Sequence, residues 1–135
     1  HQASGHPWPV AVESPEPQRR AVHGVVELQD MAIATSGDYR RCYFDAEGRR
    51  RSHTLDPRTG WPVTHDLASV TVFHEECMHA DALATVLTVL GPLQGMDFAR
   101  EHEIAAVLTS HLASDGNEAR RRVLKTPAWI NLFEA

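Results

Sequence analysis

Few cysteines, an acidic charge balance and short apolar runs each remove a class of function from this chain. The two cysteines, Cys42 and Cys77, lack metal-type spacing and cannot alone build a disulfide-rich scaffold. With 13 Lys+Arg against 18 Asp+Glu, the formal net charge is -5. That sign excludes a general electrostatic grip on nucleic acid, whose phosphates demand clustered cations. No apolar run reaches the roughly 18 residues of a bilayer span, and no charged-then-apolar secretion signal opens the chain. The common nucleotide fingerprints, G-x-x-x-x-G-K-S/T and G-x-G-x-x-G, are missing, as is the G-x-S-x-G nucleophile elbow. Internal repeats and low-complexity segments are absent too.

What is present suits one domain over 1–135. At 135 residues and 42% apolar content, such a chain can bury about two thirds of its unfolded surface. Short β-compatible runs dominate the first half: 8–13, 22–28, 31–34, and the pair RRCYFD and RRRSHTL around Ala46-Glu47-Gly48, whose glycine suits a positive-φ hairpin turn. SVTVF(H), 69–74, is the strongest strand and is expected to be internal. From about Met78 to Leu90 the pattern is helical, closed by Gly91-Pro92, and a second short helix is expected near 96–102. IAAVLTSHL, a turn at 114–117 and ARRRVLKT read as a hairpin, and the tail as one helical turn docking Trp129 and Phe133. The fold class is therefore α+β: a mixed or mainly antiparallel sheet packed against a buried helix at about 78–90.

That helix is apolar nearly all round, which marks burial. Asp81 and Thr85 are exceptions, and at 3.6 residues per turn they share a face. A buried carboxylate costs several kcal/mol unless paired, hydrogen-bonded or metal-bound. Two readings stay open: Asp81 favours the helix dipole while Thr85 bonds back to the carbonyl at 81, or the two oxygens converge on a hard cation, Mg²⁺ by default. His53 precedes the Asp56-Pro57-Arg58-Thr59-Gly60 turn, whose hydroxyl and backbone N–H groups could hold phosphate or adenosine. An unperturbed His pKa near 6.5 suits a general base. His74, Cys77 and His79 invite a zinc hypothesis, but zinc needs three or four converging ligands and no second cluster accompanies them. The arginine runs 49–51 and 120–122 read as solvated faces.

In order, TSGDYRR (35–41), HTLDPRTGWPV (53–63), SVTVF (69–73) and ADALATVLTVLG (80–91) resemble the ApbE-type FAD:protein FMN transferases. The resemblance implies a Mg²⁺-dependent transferase that takes FAD, moves FMN onto a Thr or Ser of a target flavoprotein and releases AMP. By position, Asp81 and Thr85 would bind the metal. His53 would be the catalytic base beside the pyrophosphate, in a pocket shaped by Asp56, Pro57, Thr59 and Gly60. Ser36, Gly37 and Tyr39 would line the flavin-nucleotide site. Two alternatives stand beside this: a Mg²⁺-dependent FAD pyrophosphatase, and a non-catalytic flavin-nucleotide-binding or scaffold fragment.

Family members are generally about twice this length, so the chain matches their C-terminal part and an N-terminal half is expected to be missing. Weak or undetectable catalysis by the chain alone follows from that expectation. A homodimer, or the missing half supplied in trans, are both open, and no nucleic-acid partner is expected. The family suggests a bacterial periplasmic or membrane-anchored location.

Overall fold

The computed structural model describes residues 2–15, 21–39, 41–111, 113–115 and 118–134, with the side chains of 113–115 and 118–120 left out of the description. An antiparallel pair opens it, β1 (Trp8–Ser14) with β2 (Ala21–Leu28). β3 (Ala32–Gly37) leads to two hairpins: β4 (Cys42–Phe44) with β5 (Arg50–Ser52), then β6 (Leu55–Asp56) with β7 (Trp61–Pro62). β8 (Leu67–His74), helix α1 (Cys77–Glu101) and β9 (Ala105–Ser110) follow. The chain closes with β10 (Ala113–Asp115), β11 (Glu118–Arg120), β12 (Val123–Lys125) and helix α2 (Pro127–Phe133). The central sheet is four-stranded and antiparallel, in the order β12-β9-β8-β3. The architecture is α+β, an antiparallel sheet with a helix packed against it.

β8 is internal because both of its edges are paired. Its side chains alternate between two cores, as the strand period of two requires. Val70 and Val72, with Ala106 and Leu108 of β9, meet Ala80, Ala84, Leu87, Met96 and Ala99 of α1. On the opposite face Phe73, Ala105 and Val107 meet Val12, Val26 and Leu28 of the β1–β2 pair and Trp129 of α2. Burial on both faces explains why LASVTVF reads as a continuous run. α2 is anchored by the fully buried Thr126: its hydroxyl caps Trp129 N, accepts from Ala106 N at 2.9 Å and donates to Ile104 O at 2.7 Å. The expected turn at 114–117 falls between β10 and β11, with Gly116 and Asn117 outside the described residues.

α1 differs from expectation in two ways. Gly91 has φ 79° and ψ -177°, so the helix does break there, but the second helix resumes directly at Pro92 rather than near Met96. Proline's fixed φ and missing N–H suit the first position of that new helix. The missing N–H would leave the Thr88 carbonyl without its partner four residues on. His65 supplies the donor: its Nε2 lies 2.6 Å from Thr88 O, while its Nδ1 accepts from Leu67 N at 3.2 Å, which fixes the tautomer. The ring fits because residue 91 has no Cβ; one would stand 2.8 Å from His65 Cδ2.

The second difference is burial. Ala80, Ala84, Leu87 and Thr88 face the sheet, but Asp81, Ala82, Thr85 and Val86 are exposed. An apolar sequence all round does not require burial all round, and the helix here is covered on one face. The supposed cost of an interior Asp81 therefore does not arise. By length and composition α1 also falls within the range of a membrane span. Its packing against the sheet and its break at Gly91 identify it as a core helix.

Removing the ring in His65→Ala orphans the Thr88 carbonyl and is expected to cost about 1–3 kcal/mol. Gly91→Ala forces a Cβ into both a left-handed φ and the same ring, at a cost of about 1–3 kcal/mol. Urea unfolding midpoints at constant slope measure both.

Candidate functional site

β3 runs along the sheet edge and ends in Ser36 and Gly37, which pair with Val70 and Ser69 of β8 before a bend at Tyr39. Gly37 must be glycine: a Cβ there would lie 2.9 Å from Ala68 O and 3.0 Å from the Tyr39 ring. The ring therefore folds back over the strand end, and its hydroxyl donates to Glu13 Oε2 on β1 at 2.8 Å. Ser36, Gly37, Tyr39, His53, Asp81 and Thr85 all line one cleft of about 530 Å³. Four segments distant in sequence supply its walls: β1, the end of β3, the residue after β5, and the exposed face of α1.

His53 follows β5 and is exposed. Its Nδ1 lies 2.9 Å from the Arg41 carbonyl. A carbonyl only accepts, so Nδ1 carries the proton and Nε2 is left with a lone pair in the neutral ring. That is the protonation pattern a general base needs.

Asp81 and Thr85 stand one turn apart on the open face of α1. The Thr85 hydroxyl donates to the Asp81 main-chain carbonyl at 3.3 Å, as the helix-internal reading requires. Its oxygen lone pairs are still available, so this bond does not exclude a ligand role. The pair offers two hard oxygen donors towards the cleft, a set that suits Mg²⁺ when other oxygens complete the shell.

The Asp-Pro-x-Thr-Gly turn lies elsewhere. Asp56 and Thr59 line a separate cavity, floored by Val89 and Leu90 of α1, and neither they nor Pro57 and Gly60 line the His53 cleft. The backbone N–H groups expected to hold phosphate are engaged inside the turn. Thr59 N and Gly60 N both donate to Asp56 O, at 3.1 and 2.8 Å, with Gly60 at φ 73°. Arg58 N and its guanidinium occupy the Asp56 carboxylate, which they hold below the ordinary carboxyl range. As placed, the turn is a closed structural unit behind His53.

The histidine-rich stretch forms local contacts rather than a metal centre. His74 and His79 meet edge to face with ring centroids 4.9 Å apart, and His79 Nδ1 lies 3.2 Å from Glu76. Among the described residues no cluster of three or more His, Cys, Asp or Glu is arranged to hold a metal.

Three participants near the cleft were not singled out from the sequence. Arg41 and Glu13 line it. Asp38 lies behind it, buried at 5% exposure and bonded on both carboxylate oxygens. Arg50 Nη1 reaches Oδ2 at 3.1 Å while its Nη2 reaches the Asp38 carbonyl at 2.8 Å, and His111 Nε2 reaches Oδ1 at 2.8 Å. Burial opposes ionisation here, but the bonds and charges of His111 and Arg50 outweigh it and hold Asp38 at about 2. The run 49–51 is thus not simply a solvated face: Arg50 turns inward, while Arg49 and Arg51 grip Asp45.

The cleft lies at the β3 edge of the sheet, walled by a hydroxyl-bearing strand end, a histidine and the open face of α1. The ApbE family model matches residues 1–108, and the chain belongs to the ApbE family. It is 46% identical over 104 residues to the FAD:protein FMN transferase of Vibrio cholerae, covering 77% of this chain and 31% of that protein. The Haemophilus influenzae FAD:protein FMN transferase is 44% identical over 105 residues, covering 77% and 30%. Among solved structures, apo Pseudomonas stutzeri flavinyl transferase ApbE superposes with a TM-score of 0.77 at 41% identity, covering 98% of this chain and 39% of that one. The chain thus spans about a third of the length of the curated relatives it matches.

The Asp38 carboxyl is depressed from 3.8 to about 2 on folding, so its stabilising contribution is present above 3.8 and fades as pH falls through about 2. It amounts to about 2 kcal/mol. In Asp38→Asn the stability difference from wild type should be largest at neutral pH and shrink across that acid window, as read from urea midpoints against pH.

Proposed function

We propose that the cleft binds the pyrophosphate of FAD and takes part in Mg²⁺-dependent transfer of FMN to a Thr or Ser hydroxyl of a target flavoprotein, with release of AMP. The observation that carries this reading is the convergence of His53, with its Nε2 lone pair, and the Asp81–Thr85 pair on one cleft with Ser36, Gly37 and Tyr39. The curated relatives are named FAD:protein FMN transferase, which supports the FMN-transfer part of the reading.

Asp81 and Thr85 would hold the metal, which when bound offsets charge on the pyrophosphate oxygens and helps orient them. His53 Nε2 takes the proton of the attacking hydroxyl as its oxygen bonds to the FMN-side phosphorus. The bond from that phosphorus to the AMP oxygen breaks in line, and AMP leaves with the electron pair. Nδ1 stays bonded to the Arg41 carbonyl and holds the ring for this exchange. Ser36 and the Gly37 backbone, under the Tyr39 ring, form the wall for the nucleotide. Asp56, Pro57, Thr59 and Gly60 act one step removed, by fixing the chain that follows His53. Water in place of the protein hydroxyl would hydrolyse FAD to FMN and AMP by the same groups.

Asp81→Ala is expected to abolish the Mg²⁺-dependent part of FAD binding, measured by calorimetric titration with and without the metal. Because Asp81 is exposed, its stability effect should stay within about 0.5 kcal/mol. Equal weak FAD binding with and without Mg²⁺ in the wild type would instead favour a scaffold role.

In the full-length context, His53→Ala should keep FAD affinity and lose about 100-fold or more in AMP release. The assay is run with and without an acceptor polypeptide. Free FMN in the acceptor-free arm would identify hydrolysis, and collapse of affinity would make His53 a binding residue.

A further inference from the structure

Asp38 touches no cleft residue through its carboxylate, yet it sits where two site-bearing segments cross. It directly follows Gly37, the last residue of β3, and Tyr39 comes next, so its backbone joins two residues of the proposed nucleotide wall. The main chain there is pinned by Asp38 N donating to Ala68 O at 3.1 Å. Through its carboxylate and carbonyl it is held by the Arg50 fork on β5, the strand whose exit delivers His53. Through Oδ1 it is held by His111, just past the end of β9. His111 N in turn donates to Asp66 O at 2.7 Å, ahead of β8.

We propose that Asp38 is a positioning residue: clamped by Arg50 and His111, it fixes the end of β3 and the following Tyr39 relative to β5 and so holds His53 in its Nδ1–H tautomer against the Arg41 carbonyl. This rests on the FAD reading for its catalytic meaning, but the geometric claim stands apart from it. Three features separate the clamp from a simple stabilising ion pair. Arg50 bonds side chain and main chain of Asp38 at once, which fixes orientation as well as distance. The clamp joins segments far apart in the chain, Asp38 and His111 being 73 residues apart, so it links elements rather than closing one turn. Moreover, β4–β5 is only a two-stranded ladder beside the central sheet. Its registration to β3 therefore needs a side-chain link, and the Asp38–Arg50 fork provides one.

The test uses this chain, with two readouts. Nitrogen NMR of the imidazole reports the His53 tautomer without any ligand, and titration reports FAD affinity in the presence of Mg²⁺. Wild type should show a single Nδ1–H tautomer at His53. Asp38→Asn and Arg50→Met should each lose that single-tautomer signature and weaken FAD binding about tenfold, the lower end of what orienting groups contribute.

The double variant should lose little beyond either single one, because one linkage is being broken twice. Arg50→Lys, which keeps the charge but not the fork, should fall between wild type and Arg50→Met. Lys125→Met, which breaks the Lys125–Glu134 pair on the far side of the fold, should change neither readout. If Asp38→Asn does not fold, the two Arg50 variants carry the same comparison. Folded variants with an unaltered His53 tautomer and unaltered FAD affinity would overturn the proposal, as would strictly additive losses in the double variant. A wild-type chain with the Nδ1–H tautomer but no affinity for FAD would count against the functional reading and leave the clamp standing on its NMR result.

Discussion

The close seating of α1 on the central sheet is the contact that makes a cleft possible. Ala80, Ala84 and Ala99 are essentially buried against Val70, Val72, Ala106 and Leu108. Their small side chains let the helix axis come near the strands, and Gly95, where a Cβ would meet Leu87 O at 3.1 Å, continues that economy of volume beyond the bend. With Ala80 and Ala84 directed inward, helical geometry turns Asp81 and Thr85 outward. Larger residues at 80 or 84 would lift the helix and carry those two oxygens away from β3. The bend at Gly91, stabilised by the His65 ring, lets a long helix keep its second half on the same core.

A second constraint is the separation of structural charge from cleft charge. Asp38, Asp45 and Asp56 are each gripped by arginine, and all three carboxyls lie below their usual range. Two are satisfied within their own hairpin or turn, while Asp38 is satisfied across elements. These pairs neutralise carboxylates around the site without adding unpaired negative charge to it. For Asp45 and Asp56, which are only partly buried beside more exposed arginines, little stability is at stake, and their effect is on local conformation: the Asp56 turn closes on itself and the Asp45 hairpin is drawn tight.

Local pattern was legible in the sequence wherever one residue sufficed to decide it. Gly48 at φ 73°, the stop at Gly91-Pro92, the internal strand at 69–74 and the docking of Trp129 and Phe133 all follow from short-range chemistry. The i, i+4 relation of Asp81 and Thr85 was legible for the same reason. Tertiary placement was not. The Asp38–His111 bond spans 73 residues, a separation on which neither periodicity nor composition bears. The Asp-Pro-x-Thr-Gly turn looked like a phosphate cradle because its N–H groups are countable in sequence, whereas their capture by the Asp56 carbonyl is a matter of three-dimensional closure. Exposure of the α1 face failed for a related reason: hydropathy states what a helix can bury, and only packing states what it does bury.

These observations bear on why a cation belongs to the proposed reading. A pyrophosphate entering the cleft meets Glu13 and Asp81 on its walls, with Arg41 the cationic residue among the lining. Glu13 accepts from the neutral Tyr39 hydroxyl and keeps its charge, so both carboxylates would repel a pyrophosphate. Opposed negative charges in a partly desolvated cleft cost free energy that hydrogen bonds from Ser36 or the Gly37 backbone are too few to offset. A divalent ion held by Asp81 and Thr85 would reverse the sign of that interaction and make the exposed face of α1 a binding surface. Without such an ion Asp81 would work against the pyrophosphate that the proposed reading brings to the cleft.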